Sequence, residues 1–186
     1  MTYCEARLEG AEERLPLKSK AKPPRPEYHL VALVEGEGEH EGRILVRQRP
    51  NSGLLARMWE LPYIPADARV GEGAGLPDGP AMDRLAAALA EAGVPVRPIE
   101  PFMNAEHTFS HIHWNLRVFR FQEAVELAAM SKFAAEAKAQ YEINVAPVQE
   151  SDEAVQQYRW INRDDMADLA FPNVFLRILD EYSKKK

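Results

Sequence analysis

The side chains best equipped for chemistry crowd into one string, Ala105–Trp114, which reads AEHTFSHIHW. His107, His111 and His113 stand there at spacings that place all three on one side of an extended strand. Imidazole binds zinc, but no cysteine lies nearby and no fourth ligand is evident, so a zinc site is not expected. Among the histidines, Phe109 offers a ring that can wedge or stack beside a base. Ser110 offers a hydroxyl that both donates and accepts hydrogen bonds. Each residue also has a plain structural role open to it. A loop phenylalanine usually belongs to a core, a serine often closes a turn, and a histidine is often a hydrated surface group.

Thiols and charges add constraints. The single cysteine, Cys4, cannot form an intramolecular disulfide and suits a reducing compartment. The opening MTYCEARLEGAEERLP has no apolar signal-peptide core. No apolar run approaches the roughly 18 residues of a membrane span. A cytoplasmic setting without membrane contact is therefore the default expectation. The net charge of −6 weighs against a polyanionic partner, yet its distribution is uneven. Lys18, Lys20, Lys22 and Arg25 form one basic run free of acids, and Arg43, Arg47, Arg49 and Arg57 form another. Acids gather instead between Gln122 and Trp160. Charge runs are usually solvated faces, but this pattern allows one basic side and one acidic side.

The elements that must position these groups follow from periodicity and turn residues. Gly10–Glu27, with three prolines in KSKAKPPRPE, is expected to be an extended connector. The core is expected to start at Tyr28 with the strand YHLVALV. A second strand, Arg43–Arg49, turns Ile44 and Val46 one way and Leu45 and Arg47 the other. Trp59–Ile64 is a third extended piece, followed by a Gly/Pro-rich loop to Pro80. Ala81–Ala92 is expected to be helical, with Leu85 and Leu89 at i, i+4 and Gly93 as its stop. Ile112–Val118 alternates as a strand, Ser131–Gln157 reads as a polar insertion, and YRWI is a short last strand. Pro172 opens a helix striped by Phe175, Ile178, Leu179 and Tyr182. This order predicts an α/β layer fold.

The string RILVRQRPNSGLLARMWELP resembles the entry to the Nudix fold, in which a similar LLxxLWEFP run leads into the catalytic Nudix box. That box, G-x(5)-E-x(7)-R-E-U-x-E-E-x-G with U aliphatic, holds a divalent metal through glutamates on one helix. Here Tyr63-Ile64 stands where the box would open with glycine. Aligning Gly93 with the box's last glycine puts the R-E-U-x-E-E hexad on Ala86-Ala87-Ala88-Leu89-Ala90-Glu91. Only Glu91 remains, and one carboxylate cannot build the metal cage. The resemblance implies a Nudix-like mixed β-sheet flanked by helices that lacks a functional Nudix box, with Glu91 a surface residue.

A boxless Nudix-like domain carrying an HxFSH loop resembles the C-terminal domain of MutY-type adenine DNA glycosylases. The likeness covers most of Tyr28–Tyr182: GLLARMWELP, the FSH loop, the W-I strand and AFPNVFLRILDEY. It implies that residues 28–186 recognise 8-oxoguanine in double-stranded DNA opposite the adenine to be excised. Phe109, Ser110 and His111 would then lie against the lesion-bearing strand, with Ser110 nearest the oxidised edge. Guanine presents an acceptor at N7, whereas 8-oxoguanine presents a donor there and a new acceptor at C8. A serine hydroxyl can answer either. Arg47, Arg49, Lys20 and Lys22 would contact phosphates.

YCEARLEGAEERLPLK is similar to the stretch after the MutY iron–sulfur loop, which makes residues 1–9 a remnant of that loop, residues 10–27 an interdomain connector and Cys4 the fourth [4Fe–4S] ligand. A cluster needs four thiolates. The chain itself is therefore expected to carry no cofactor and to be catalytically silent, the chemistry residing in a separate N-terminal catalytic domain. Two other functions remain open: a Nudix nucleotide hydrolase, which the empty box disfavours, and a degenerate Nudix domain serving as a nucleotide-sensing or protein-interaction module.

Overall fold

A computed structural model describes residues 22–66, 77–125 and 157–185. Cys4, Lys20 and all but the last residue of Ser131–Gln157 lie outside the described residues. The strands are β1 (Arg25–Glu35), β2 (Ile44–Gln48), β3 (Trp59–Glu60), β4 (Tyr63–Pro65), β5 (Val96–Thr108), β6 (Ile112–Glu123) and β7 (Tyr158–Ile161). The helices are α1 (Asp78–Glu91) and α2 (Asn173–Lys185). The strands form a seven-stranded mixed sheet with the order β3-β2-β1-β6-β5, β4 pairing on β1 and β7 on β2. Among the described residues only β1 and β6 run parallel, over the whole register from Arg25↔Ile112 to Glu35↔Gln122.

β1 is central because its sequence can be buried on both faces. Leu30, Val31, Ala32, Leu33 and Val34 are all at zero exposure, and a continuous apolar run is what a doubly covered strand needs. Val31 and Leu33 join a core with Trp114, Leu116 and the α2 stripe Phe175, Ile178, Leu179 and Tyr182. Leu30, Ala32 and Val34 join a second core with Ala81, Met82, Leu85 and Leu89 of α1. The sheet is thus sandwiched between two helices. Truncating Phe175, fully buried, to alanine would cost about 3–5 kcal/mol.

Two expected boundaries shift. β1 begins at Arg25, not Tyr28, because β6 pairs with it in parallel from Arg25↔Ile112 onward and Arg25 N–H, between the prolines, donates to His111 O. α1 begins at Asp78 rather than Ala81. Pro80 sits in its first turn, where an N–H would have no intrahelical partner anyway. The helix ends as expected at Gly93, whose φ of 80° lets Val94 N–H reach Leu89 O at 2.8 Å and Gly93 N–H reach Ala90 O at 3.0 Å, a Schellman cap.

One strand has no counterpart in the sequence reading. Val96–Thr108 forms a strand of 13 residues, although Pro98 and Pro101 hide any strand signal. Both prolines are tolerated because β5 lies at the sheet edge and its register slips beside each, between Pro98 and Glu100 and between Pro101 and Met103.

Candidate functional site

AEHTFSHIHW is a β-hairpin rather than a single strand. β5 ends at Thr108, β6 begins at Ile112, and the two pair antiparallel through His107↔Trp114 and Thr108↔His113. The expectation that His107, His111 and His113 share one side of one extended strand is therefore corrected: a turn separates the first from the last, and His111 lies in it. Among the described residues no group of three or more metal-ligating side chains could hold an ion.

The turn is tight. Phe109 N–H donates to Ile112 O at 2.7 Å, and Arg25 N–H donates to His111 O at 3.0 Å. Its three side chains divide. Phe109 is half-buried and packs at the margin of the α2-side core, edge-on to His107 at 4.5 Å and to Trp114 at 5.0 Å between centroids. Ser110 and His111 are exposed. Their polar atoms, Ser110 Oγ and His111 Nδ1, lie 3.0 Å apart. A hydroxyl and an imidazole are thus presented together on a ring anchored in the core.

Arg47 and Arg49 are placed differently from the open basic face expected of them. Their side chains are only 15% and 14% exposed, and both turn inward onto Glu60, itself 2% exposed. Arg47 Nε donates to Glu60 Oε1 at 2.8 Å, and Arg49 Nη1 to Glu60 Oε2 at 2.6 Å. A carboxylate this buried is satisfied by two guanidinium donors, and each cation finds its counter-charge inside the protein. Arg49 also donates to Leu54 O at 2.9 Å and Tyr63 Oη at 2.6 Å. Burial by itself would lower the Arg49 pKa. The hydrogen bonds and charge of Glu60, with Tyr63, reverse that and raise it, so the guanidinium stays charged. Arg49 therefore ties the Pro50–Met58 loop to the sheet. In that loop Leu55 and Arg57 adopt φ of 57° and 62°, left-handed conformations that side chains other than glycine hold only when their surroundings impose them.

Two residues that the sequence did not single out join these pieces. Trp114, 2% exposed, lies under Phe109 and beside Arg49, whose guanidinium carbon is 5.7 Å from its ring centre. Its indole Nε1–H donates to Glu27 Oε2 at 3.1 Å. Burial would raise the Glu27 pKa, but hydrogen bonds from Arg25 and Trp114 and nearby positive charge lower it on balance. His29, 8% exposed, packs against Tyr63 at 4.7 Å and Trp114 at 5.4 Å. Its nearest carboxylate is Glu27, at 3.7 Å, too far for a hydrogen bond. Burial lowers the His29 pKa. Glu27 partly offsets this, and Arg49 and Arg47 add to it.

Both informative strings thus converge on Trp114, the Pro50–Met58 loop through Arg49 and the FSH turn through Phe109. Lys22 is exposed just before β1, and the Arg25 side chain is 74% exposed, so exposed cations stand at the opening of β1, whose Arg25 N–H holds the turn. Glu91 is exposed in the last turn of α1.

Comparison with known proteins bears on this arrangement. The NUDIX domain family matches residues 38–181. The adenine DNA glycosylase of Rattus norvegicus is 36% identical over 110 residues, covering 56% of this chain and 19% of that protein. The adenine DNA glycosylase of Homo sapiens is 35% identical over 107 residues, covering 56% and 18%. The chain thus spans about a fifth of the length of these curated relatives.

Among solved structures, the C-terminal domain of mouse MUTYH in complex with human PCNA is similar with a TM-score of 0.54 at 18% identity, covering 87% of this chain and 90% of that one. A NUDIX hydrolase from Nitrosomonas europaea is similar with a TM-score of 0.55 at 14% identity, covering 87% and 91%. At these identities the structures show a shared fold, the Nudix-like mixed sheet between helices that the sequence predicts.

Proposed function

The chain belongs to the NUDIX domain family, and from that premise we propose that it is the lesion-reading domain of an adenine DNA glycosylase. In this reading it recognises 8-oxoguanine opposite adenine in double-stranded DNA, while adenine excision belongs to a catalytic domain outside these residues. The observation that carries it is the FSH turn. Ser110 and His111 project from a hairpin whose Phe109 is anchored on buried Trp114, in a chain similar to adenine DNA glycosylases. A hydroxyl at such a tip can accept from N7–H of the oxidised base or donate to its C8 oxygen. One neutral hydrogen bond contributes only about 0.5–1.5 kcal/mol, so the turn tunes discrimination while affinity comes from elsewhere.

Phosphate contact in this reading falls chiefly to Lys22, Arg25 and, in the connector, Lys20: Arg25 stays largely exposed although it pairs with Glu27, whereas Arg47 and Arg49 are turned inward onto buried Glu60. Of these two, Arg49 serves the interface by bracing the Pro50–Met58 loop through Leu54 O, while Arg47 shares Glu60 with it. In the whole glycosylase Cys4 would be the fourth ligand of a [4Fe–4S] cluster, residues 1–9 the end of the cluster loop, and the segment up to β1 the connector. The setting would be cytoplasmic. Among the described residues no helix is long and apolar enough to cross a membrane.

A second reading, a protein-docking module, draws support from the fold shared with a domain solved in complex with PCNA. Titrating the chain with duplexes carrying A·8-oxoguanine, A·G and A·T pairs separates the two. Tightest binding to the oxidised mispair supports lesion reading. Equal affinity for all three, or no binding at low salt, leaves the docking module as the better description.

A further inference from the structure

The opening of β1 and the FSH turn form one mechanical unit. Parallel pairing of β1 with β6 starts at Arg25↔Ile112, immediately beyond the turn, and Arg25 N–H holds the His111 carbonyl at 3.0 Å. Two residues on, Glu27 accepts the Trp114 indole N–H at 3.1 Å through Oε2. Its other oxygen takes the Arg25 guanidinium at 2.6 Å. Trp114 is 2% exposed, so its N–H must find an acceptor inside the protein or lose a hydrogen bond outright. The same indole carries Phe109 on its ring.

We infer that Glu27 is a positioning residue: it fixes the Trp114 indole, the indole fixes Phe109, and the segment entering β1 thereby sets how Ser110 and His111 are presented to a base. The role of the turn rests on the reading proposed above; the coupling itself does not. Contacts of the β1 opening explain why a turn at the edge of the sheet has a defined shape. The hairpin's own backbone bond fixes the turn's closure, but β1 adds a second bond at His111 and a side-chain brace beneath Phe109. Anything that pulls on the chain before Arg25, such as docking of the connector onto another domain, acts on the turn through these two contacts. A purely surface role for Glu27, pairing with Arg25 alone, would leave the turn indifferent to its loss.

Nuclear magnetic resonance of the 15N-labelled chain tests this without DNA. The Trp114 indole N–H is assigned by its disappearance in Trp114→Phe. Glu27→Ala should shift that resonance and the amides of Ser110 and His111. Glu100→Ala, in the same hairpin but paired with Arg120 at its far end, should leave them in place. Glu27→Gln keeps a side-chain carbonyl oxygen and should restore most of the pattern. Against duplexes, Glu27→Ala and Trp114→Phe should each narrow the preference for A·8-oxoguanine over A·G by about threefold, and the double variant should do no more than either single one.

Unmoved Ser110 and His111 amides in a folded Glu27→Ala protein overturn the inference. So does a Glu27→Ala protein with moved amides and an unchanged preference. If the wild-type chain shows no preference at all, the lesion reading fails instead, and the amide shifts alone decide whether Glu27 positions the turn.

Discussion

Phe109 meets Trp114 edge to face, with ring centroids 5.0 Å apart and planes at 77°. That geometry sets the positive edge of one ring against the negative face of the other, worth about 0.5–1.5 kcal/mol beyond the area buried. It also assigns different work to neighbouring residues, since Phe109 anchors the turn while Ser110 and His111 remain exposed.

Phe109→Ala and Ser110→Ala should therefore part company on stability. Loss of the half-buried ring should cost about 1–3 kcal/mol, less than a fully buried phenylalanine. Loss of the exposed hydroxyl should cost less than about 1 kcal/mol. Urea denaturation monitored by tryptophan fluorescence measures both. Equal costs would mean the ring does not anchor the turn.

Glu60 is the most vulnerable charge among the described residues. Glu60→Ala strands two largely buried guanidinium groups, Arg47 and Arg49, and should destabilise the chain by about 3–5 kcal/mol. Arg49→Lys, which gives up the forked hydrogen bonds to Glu60, Leu54 O and Tyr63, should cost less but loosen the Pro50–Met58 loop. Proteolytic nicking within that loop reads the effect, and a loop as resistant as wild type would refute the bracing role.

Stability should fall in mild acid. The folded His29 pKa is lowered by burial, so below the ordinary histidine value of ~6.5 the unfolded chain binds a proton that the folded chain resists. His29 therefore contributes full stability above that value, and the contribution is lost as pH falls through the lowered folded pKa. Urea midpoints at about pH 7.5 and about pH 5.5 should differ, and His29→Gln should flatten the difference. An unchanged slope would place the acid sensitivity in another group.

Salt dependence locates the cations that meet phosphate. If Lys22 and Arg25 touch DNA, removing either should lower the slope of log affinity against log salt by about 0.9 for each phosphate left without its cation. Arg47→Ala should change stability more than slope, since its charge is already paired within the protein. The opposite ranking would return Arg47 to the interface.

Removal of Glu91 should change no activity. The carboxylate is exposed at the end of α1 and is the sole survivor of the box glutamates. Nucleotide pyrophosphatase assays with magnesium or manganese should therefore find the chain and Glu91→Gln equally inert. Turnover in the chain that disappears in the variant would contradict the reading of α1 as structural.

The amphipathic stripe of α2, the apolar strand β1, the Gly93 cap and the short YRWI strand were legible in the sequence, because each is a local pattern; that β1 is buried on both faces was not. The family resemblance was legible too, since it rests on contiguous strings. β5 was not: its two prolines argue against a strand until the edge position and the register shifts that excuse them are known. Composition also suggested an open basic face where the fold supplies Glu60 to pair Arg47 and Arg49. The alternation that put three histidines on one side of a strand fails because a turn intervenes.

The pairing of Glu27 with Trp114, 87 residues apart, belongs to tertiary structure alone. Sequence specifies which residues are apolar, charged or able to turn. Only the parallel register of β1 on β6 decides which carboxylate the buried indole meets, and hence what holds the exposed turn in place.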